Sequence, residues 1–132
     1  MRGFSLIELM IALAVVAILA VIATFVYPTY VYKSKRLDAI NTLMAISLAE
    51  QRYRSSNTQY GSLAQVWNGV TTSDQGYYTL SIGSISANSY TVTATAIGGQ
   101  SNDRANGVSC ASMSLAVVSS TITRSPAACW DN

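Results

Sequence analysis

Histidine is absent from this chain of 132 residues, and it carries only two cysteines and two prolines. Without histidine the commonest general base is missing, so its serine-rich stretches have no imidazole to activate a nucleophile. Two cysteines alone do not make a structural zinc site. Charge is sparse as well: 11% of residues are charged, against roughly 25% in an ordinary soluble domain. The formal net charge of +2 is too small to announce a nucleic-acid or anionic-surface partner. Asp74, Asp103 and Asp131 are scattered, and only Ser101-Asn102-Asp103 groups oxygen donors in the manner of a weak calcium candidate. No catalytic constellation emerges, and no cofactor or metal site is expected.

Charge is most conspicuously missing near the N-terminus. Leu9 to Ala23 contains no polar residue, and apolar character continues through Phe25, Val26, Tyr27, Tyr30, Val31 and Tyr32 until Lys33, Lys35 and Arg36 end it. A bilayer-spanning helix needs about 20 such residues. From Phe4 to Tyr32, Glu8 is the only carboxylate or basic side chain. A cleaved secretory signal would have an apolar region of about 7–15 residues and a small-residue cleavage site; this run is longer and shows no clear site. A plain anchor accounts for the length but leaves Glu8 desolvated to no purpose. A helix that first lies in the bilayer and later packs against copies of itself gives Glu8 a task. Pro28 removes one helical hydrogen bond, so a kink near Thr24–Pro28 is expected.

Beyond Tyr32 the pattern changes. Leu37, Ile40, Met44 and Leu48 recur at helical spacing, with Leu43 and Ile46 widening the stripe, while Asp38, Asn41, Glu50 and Arg54 fall mostly on other faces. This predicts a helix over 33–55, a loop over 56–76 with a short turn around Leu63–Trp67, and Trp67 plugging a core. Strands are expected at 77–82, 89–97 and 113–118, with a short fourth at 121–123, and a polar loop at 98–108. The sheet would lie across the helix in an α+β arrangement. Cys110 and Cys129, an even pair behind a membrane-length segment, point to a disulfide formed in an oxidising compartment, the alternative being two buried thiols. Asp103, Arg104, Arg124 and Asp131 read as solvated surface charges.

The nonapeptide Gly3-Phe4-Ser5-Leu6-Ile7-Glu8-Leu9-Met10-Ile11 closely resembles the N-terminal signature of type IV prepilins, a class III signal. Tyr30, Ser34 and Arg36 resemble the continuing pilin helix. Tyr90 to Ala96, Cys110, and Pro126-Ala127-Ala128-Cys129-Trp130 resemble the C-terminal half of PilE-type minor pilins. The resemblance implies a pilin fold, with a long N-terminal helix on a small antiparallel sheet and a disulfide-bounded C-terminal loop. It implies a leader at 1–3, a transmembrane and filament-core half at 4–32 and a globular head at 33–132. It further implies that a prepilin peptidase cuts between Gly3 and Phe4 and methylates the new amine of Phe4. Glu8 would then pair with the N-terminal amine of a neighbouring subunit, offsetting two desolvation penalties and fixing axial register. The small residues Ala12, Ala14, Ala17 and Ala20 would let helices approach closely.

The implied protein is a structural subunit of a type IV pilus, not an enzyme. Its partners would be other pilin subunits, the peptidase and the inner membrane, where the precursor sits with its N-terminus in the cytoplasm before joining an extracellular filament. The excess of Lys33, Lys35 and Arg36 over Arg2 argues for the reverse orientation by the positive-inside rule. The leader is short for the family, and Pro28 stands three residues later than the usual helix proline. Type II secretion pseudopilins share the N-terminal motif, and a DNA-uptake pilin remains a further alternative; it would require a basic stripe.

Overall fold

The computed structural model describes residues 3–131, so Met1 and Arg2 of the expected leader lie outside the described residues. The chain divides into two compact units, Met1–Val31 and Tyr32–Asn132. Helix α1 (Leu6–Arg54) is the longest element, and its helical conformation continues through Pro28. From Leu6 to Tyr30 the described side chains of this helix are exposed on every side, Leu6, Ile7, Leu9 and Met10 among them. A helix apolar on every side has no stable place in water and calls for lipid or for other helices. It is long and apolar enough to cross a membrane.

The second unit is an α+β head. The order along the chain is the last part of α1, a short helix α2 (Leu63–Val66), strands β1 (Tyr78–Gly83) and β2 (Ser89–Ala96), a 3-10 turn at Gly98–Asn102, strands β3 (Arg104–Ala105) and β4 (Val108–Ser109), then β5 (Ser112–Val118) and β6 (Thr121–Ser125). A four-stranded antiparallel sheet has the order β1-β2-β5-β6, and β3 pairs with β4 in a separate ribbon. Side chains alternate across a strand, and here the inward set is Tyr78 and Leu80 on β1, Tyr90, Val92 and Ala94 on β2, and Met113, Leu115 and Val117 on β5. The register places them side by side, with Leu80 opposite Ala94 and Val92 opposite Leu115. They form one cluster with Ala39, Ile40, Leu43 and Ile46 of α1. Trp67 is half-buried against the cluster, not sealed within it.

Two expectations are corrected. The inward face of the helix is rotated by about a third of a turn: Ala39, Leu43, Ile46 and Glu50 face the sheet, while Leu37, Met44 and Leu48 are exposed. The inward stripe includes Thr42 and Ser47 as well, so apolarity alone picks out the wrong side. The polar stretch 98–108 also contains the ribbon β3–β4, turned by Asn106-Gly107 with both φ positive (51° and 81°), the backbone that a two-residue type I′ hairpin requires.

Cys110 and Cys129 are joined by a disulfide across a sequence separation of 19. It ties the segment before β5 to the chain end, which also bears Trp130 packed on the core. Closing a loop of this size stabilises a fold by roughly 3 kcal/mol. In the full chain held in uncharged detergent, Cys129→Ser should therefore lower the unfolding free energy by about 3 kcal/mol, read by denaturant titration of tryptophan fluorescence. An unchanged midpoint would mean that the bridge is not constraining the unfolded chain.

Candidate functional site

Ser5 opens the helix: its carbonyl accepts the N–H groups of Glu8 and Leu9 at 3.1 and 3.2 Å. Glu8 thus sits in the first turn of α1, where a carboxylate interacts favourably with the unsatisfied N–H groups of the helix end. Phe4 and Glu8 are both exposed. Phe4 precedes α1, and Glu8 stands four residues further on, at the apolar start of the helix.

The head handles carboxylates differently. Asp38, Glu50 and Asp103 are all buried, which corrects the placing of Asp38 and Glu50 on outer faces and of Asp103 among the solvated charges. Asp103 forms a bidentate pair with Arg36: Nε donates to Oδ2 at 2.7 Å and Nη2 to Oδ1 at 2.6 Å. That bond raises the Arg36 pKa above its ordinary value, against the opposing effect of burial. The Asp103 carbonyl accepts the N–H of Cys110 at 2.9 Å, so the pair links α1 to the disulfide. With its carboxylate committed to a guanidinium, Asp103 is not free to ligate calcium with Ser101 and Asn102. Among the described residues no three His, Cys, Asp or Glu side chains group as metal ligands.

Asp38 receives the Ser73 hydroxyl at 2.6 Å and the Gln75 N–H at 3.1 Å, and Ser73 Oγ in turn accepts the Tyr78 N–H at 3.0 Å. Glu50 receives the Gly61 N–H on Oε2 at 2.8 Å. Its other oxygen is buried and has no partner among the described residues. Gly61 must be glycine, because a Cβ there would come within 2.6 Å of Val66 Cγ1. Around Glu50 stand Tyr90, whose hydroxyl is 2.7 Å from Ser47 Oγ, and Tyr60, whose ring is 4.6 Å from that of Tyr90. Arg54, one turn along, donates Nε to Ala87 O and Nη1 to Asn57 O and is not paired with Glu50. Burial pushes the Glu50 carboxyl above the ordinary carboxylate range, only partly opposed by the Gly61 hydrogen bond. The same loss of water raises the Tyr90 hydroxyl, partly opposed by its bond to Ser47.

The consequence for the surface is large. Of the acidic side chains among the head's described residues only Asp74 and Asp131 are exposed, whereas Lys33, Lys35, Arg52, Arg54, Arg104 and Arg124 are exposed or half-buried. The formal net charge conceals this excess because the acids are counted although they are inside.

A long N-terminal helix, a small antiparallel sheet and a C-terminal disulfide define the fold of a type IV pilin. Residues 1–24 match the prokaryotic N-terminal methylation motif. The chain belongs to the family described as type IV minor pilin ComP, DNA uptake sequence receptor, whose profile matches residues 26–114. It is also 38% identical over 63 residues to the type IV major pilin protein PilA of Myxococcus xanthus, covering 48% of this chain and 29% of that protein. The chain thus spans under a third of the length of this curated relative. Membership of a pilin family implies assembly with other pilin subunits, and the motif with its apolar helix fits membrane anchoring before that assembly.

The Glu50 carboxyl generates a signed expectation. Its folded pKa lies above the unfolded value, so its contribution to stability is fully present below the unfolded pKa and is lost as pH rises through the folded one. Glu50→Gln, which keeps an acceptor for Gly61 and cannot ionise, should remove that decline, so the variant gains on the wild type as pH increases from mildly acid to alkaline. Thermal melts across that range check it. Parallel profiles for the two proteins would show that Glu50 ionises without cost.

Proposed function

We propose that this chain is a minor subunit of a type IV pilus, cut between Gly3 and Phe4 by a prepilin peptidase, methylated at Phe4, and assembled through α1. Its role is structural rather than catalytic. The precursor would wait in the inner membrane with its N-terminus in the cytoplasm and the head outside. The observation that carries the reading is the exposed, predominantly apolar helix surface over Leu6–Tyr30, whose one charged side chain is Glu8. In a filament, lipid contacts are exchanged for helix contacts, and Ala12, Ala14, Ala17 and Ala20 allow close approach. Leu37, Met44 and Leu48, exposed on the outer face of α1 in the head, extend the apolar surface available to neighbours. Glu8 would meet the amine of the adjoining subunit, a pair in which each charge makes the other's burial tolerable.

A second reading adds a ligand: the assembled head contacts DNA. The family description names a DNA uptake sequence receptor, and six basic side chains on the head surface face only two exposed carboxylates. Phosphate neutralisation by such a surface produces binding that weakens steeply with salt.

Mass spectrometry of native protein should find a methylated Phe4 as the first residue. Glu8→Ala should leave the head folded, by circular dichroism, while depressing its incorporation into pili severalfold. Filaments containing the variant at wild-type levels, or subunits retaining Met1-Arg2-Gly3, would each sink the pairing.

A further inference from the structure

The tripeptide Asn-Gly-Val occurs twice in the head, as Asn68-Gly69-Val70 and as Asn106-Gly107-Val108. The two copies share more than sequence. Both asparagines and both glycines have positive φ, 53° and 73° in the first copy and 51° and 81° in the second. All six residues are exposed. What separates the two is the use the surrounding fold makes of the glycine N–H.

In the first copy that N–H is engaged. Gly69 donates to Leu63 O at 3.0 Å, Trp67 N–H donates to the same carbonyl at 2.9 Å, and Val70 N–H donates to Trp67 O at 3.0 Å. These bonds close the end of α2, and Trp67 packs against the core. Rotating the Asn68–Gly69 peptide would break the bond to Leu63.

In the second copy it is not. Among the described residues Gly107 N–H has no acceptor, and the only side-chain bond to the turn is a long one, from Arg104 Nη1 to Gly107 O at 3.5 Å. The turn closes a ribbon of two residues per strand, with Arg104 opposite Ser109 and Ala105 opposite Val108. Of these four only Ala105 is half-buried, and the others are exposed. A two-stranded hairpin so short and so little covered is marginal by itself, and a segment with few buried contacts opens at small cost. The opening is confined to the ribbon. At its base Cys110 N–H donates to Asp103 O at 2.9 Å, and both of these residues are buried.

We propose that Asn106 is a site of self-modification, at which the Gly107 nitrogen converts the asparagine into aspartate and isoaspartate. Gly107 N gives up its proton and attacks Asn106 Cγ. A bond forms between that nitrogen and Cγ, the bond from Cγ to Nδ2 breaks, and ammonia departs with the proton. The result is a five-membered succinimide, and glycine favours its closure because no side chain obstructs the approach and the backbone rotates freely. Water then adds to one of the two ring carbonyls. Release of the nitrogen from Cγ leaves aspartate. Release from the main-chain carbonyl carbon leaves isoaspartate, with the backbone routed through Cγ. In sum, one side-chain amide and one water give one carboxylic acid and one ammonia, and nothing is oxidised or reduced. Either product changes the ribbon. Aspartate adds a negative charge to the turn, and isoaspartate lengthens the main chain by one methylene, which a two-residue type I′ turn does not accommodate.

The test incubates the full chain in uncharged detergent at mildly alkaline pH and follows both tripeptides by mass spectrometry after reduction and trypsin digestion. Arg104 lies between the copies, so they fall on different fragments. A parallel incubation in concentrated denaturant gives the rate of each copy without the fold, and each native rate is read against it. Native Asn106 should keep a rate within a few-fold of its denatured value, while Asn68 slows by about tenfold or more, because its reaction waits on the opening of a hydrogen-bonded segment. Asn106→Gln, whose longer side chain would have to close a six-membered ring, should abolish conversion at that position and leave the rate at Asn68 unchanged. Native Asn106 slowed as much as Asn68, or native Asn68 converting as fast as Asn106, overturns the proposal.

Discussion

Three carboxylates kept out of water organise the head. Asp38, Glu50 and Asp103 each join α1 to a segment that has no regular structure of its own: Asp38 to Ser73 and Gln75, Glu50 to Gly61, and Asp103 to Arg36 from the other side. A carboxylate stripped of water is tolerable only when hydrogen bonds or a cation replace what it lost. The three solve that problem differently. Asp103 has a bidentate guanidinium, Asp38 a hydroxyl and an N–H, and Glu50 a single N–H, with burial raising its pKa. Loops fastened in this way need little apolar surface, which suits a head whose loops are rich in serine, glycine and asparagine. The disulfide belongs to the same scheme, because the Cys110 N–H is held by the carbonyl of Asp103.

The surface follows from the interior. Each acid drawn inward leaves the basic residues outside less balanced, so a domain of small formal charge presents cations to its surroundings. Net charge predicts partners only when both signs are equally exposed. Here they are not, and the family match to a DNA uptake sequence receptor stands beside a physical feature that composition conceals.

Much of this architecture is legible in the sequence, and the illegible part has a common cause. The β-strands declare themselves through β-branched and aromatic residues in alternation, and the structure places them within a residue or two at most boundaries. The first half of α1 is unmistakable from its apolar run. The inward face of its second half is not, because Leu37, Met44 and Leu48 are more apolar than the Ala39, Thr42 and Ser47 that face the sheet. Periodicity sees hydrophobicity; it does not see that a small residue lets a helix approach a sheet, or that a neighbour's N–H awaits Glu50. Spacing offers one clue in retrospect: Ala39, Leu43, Ile46 and Glu50 alternate by four, three and four residues, the repeat of a single buried stripe. Asn106-Gly107 is another overlooked signal, a strong hairpin dipeptide whose flanking strands of two residues are too short to carry a β pattern. The Arg36–Asp103 pair spans 67 residues, and nothing local to either residue announces the other.

The two units treat acidity by one rule with different partners. In the head, each buried carboxylate has a donor within its own chain. Glu8, in the apolar unit, has only the first turn of its own helix and no cation among the described residues to meet it. A carboxylate left so in an otherwise apolar surface is unstable in hydrocarbon and adequate only at the membrane edge. The donor proposed for it is therefore intermolecular, and it exists only after a peptide bond is cut to create an amine. On that view processing and polymerisation are coupled through electrostatics: cleavage would place the free amine on Phe4, four residues before Glu8, and give each subunit both members of a pair that it cannot close alone. An acid satisfied within its own chain serves folding; on the proposed reading, Glu8, satisfied only by a neighbour, serves assembly.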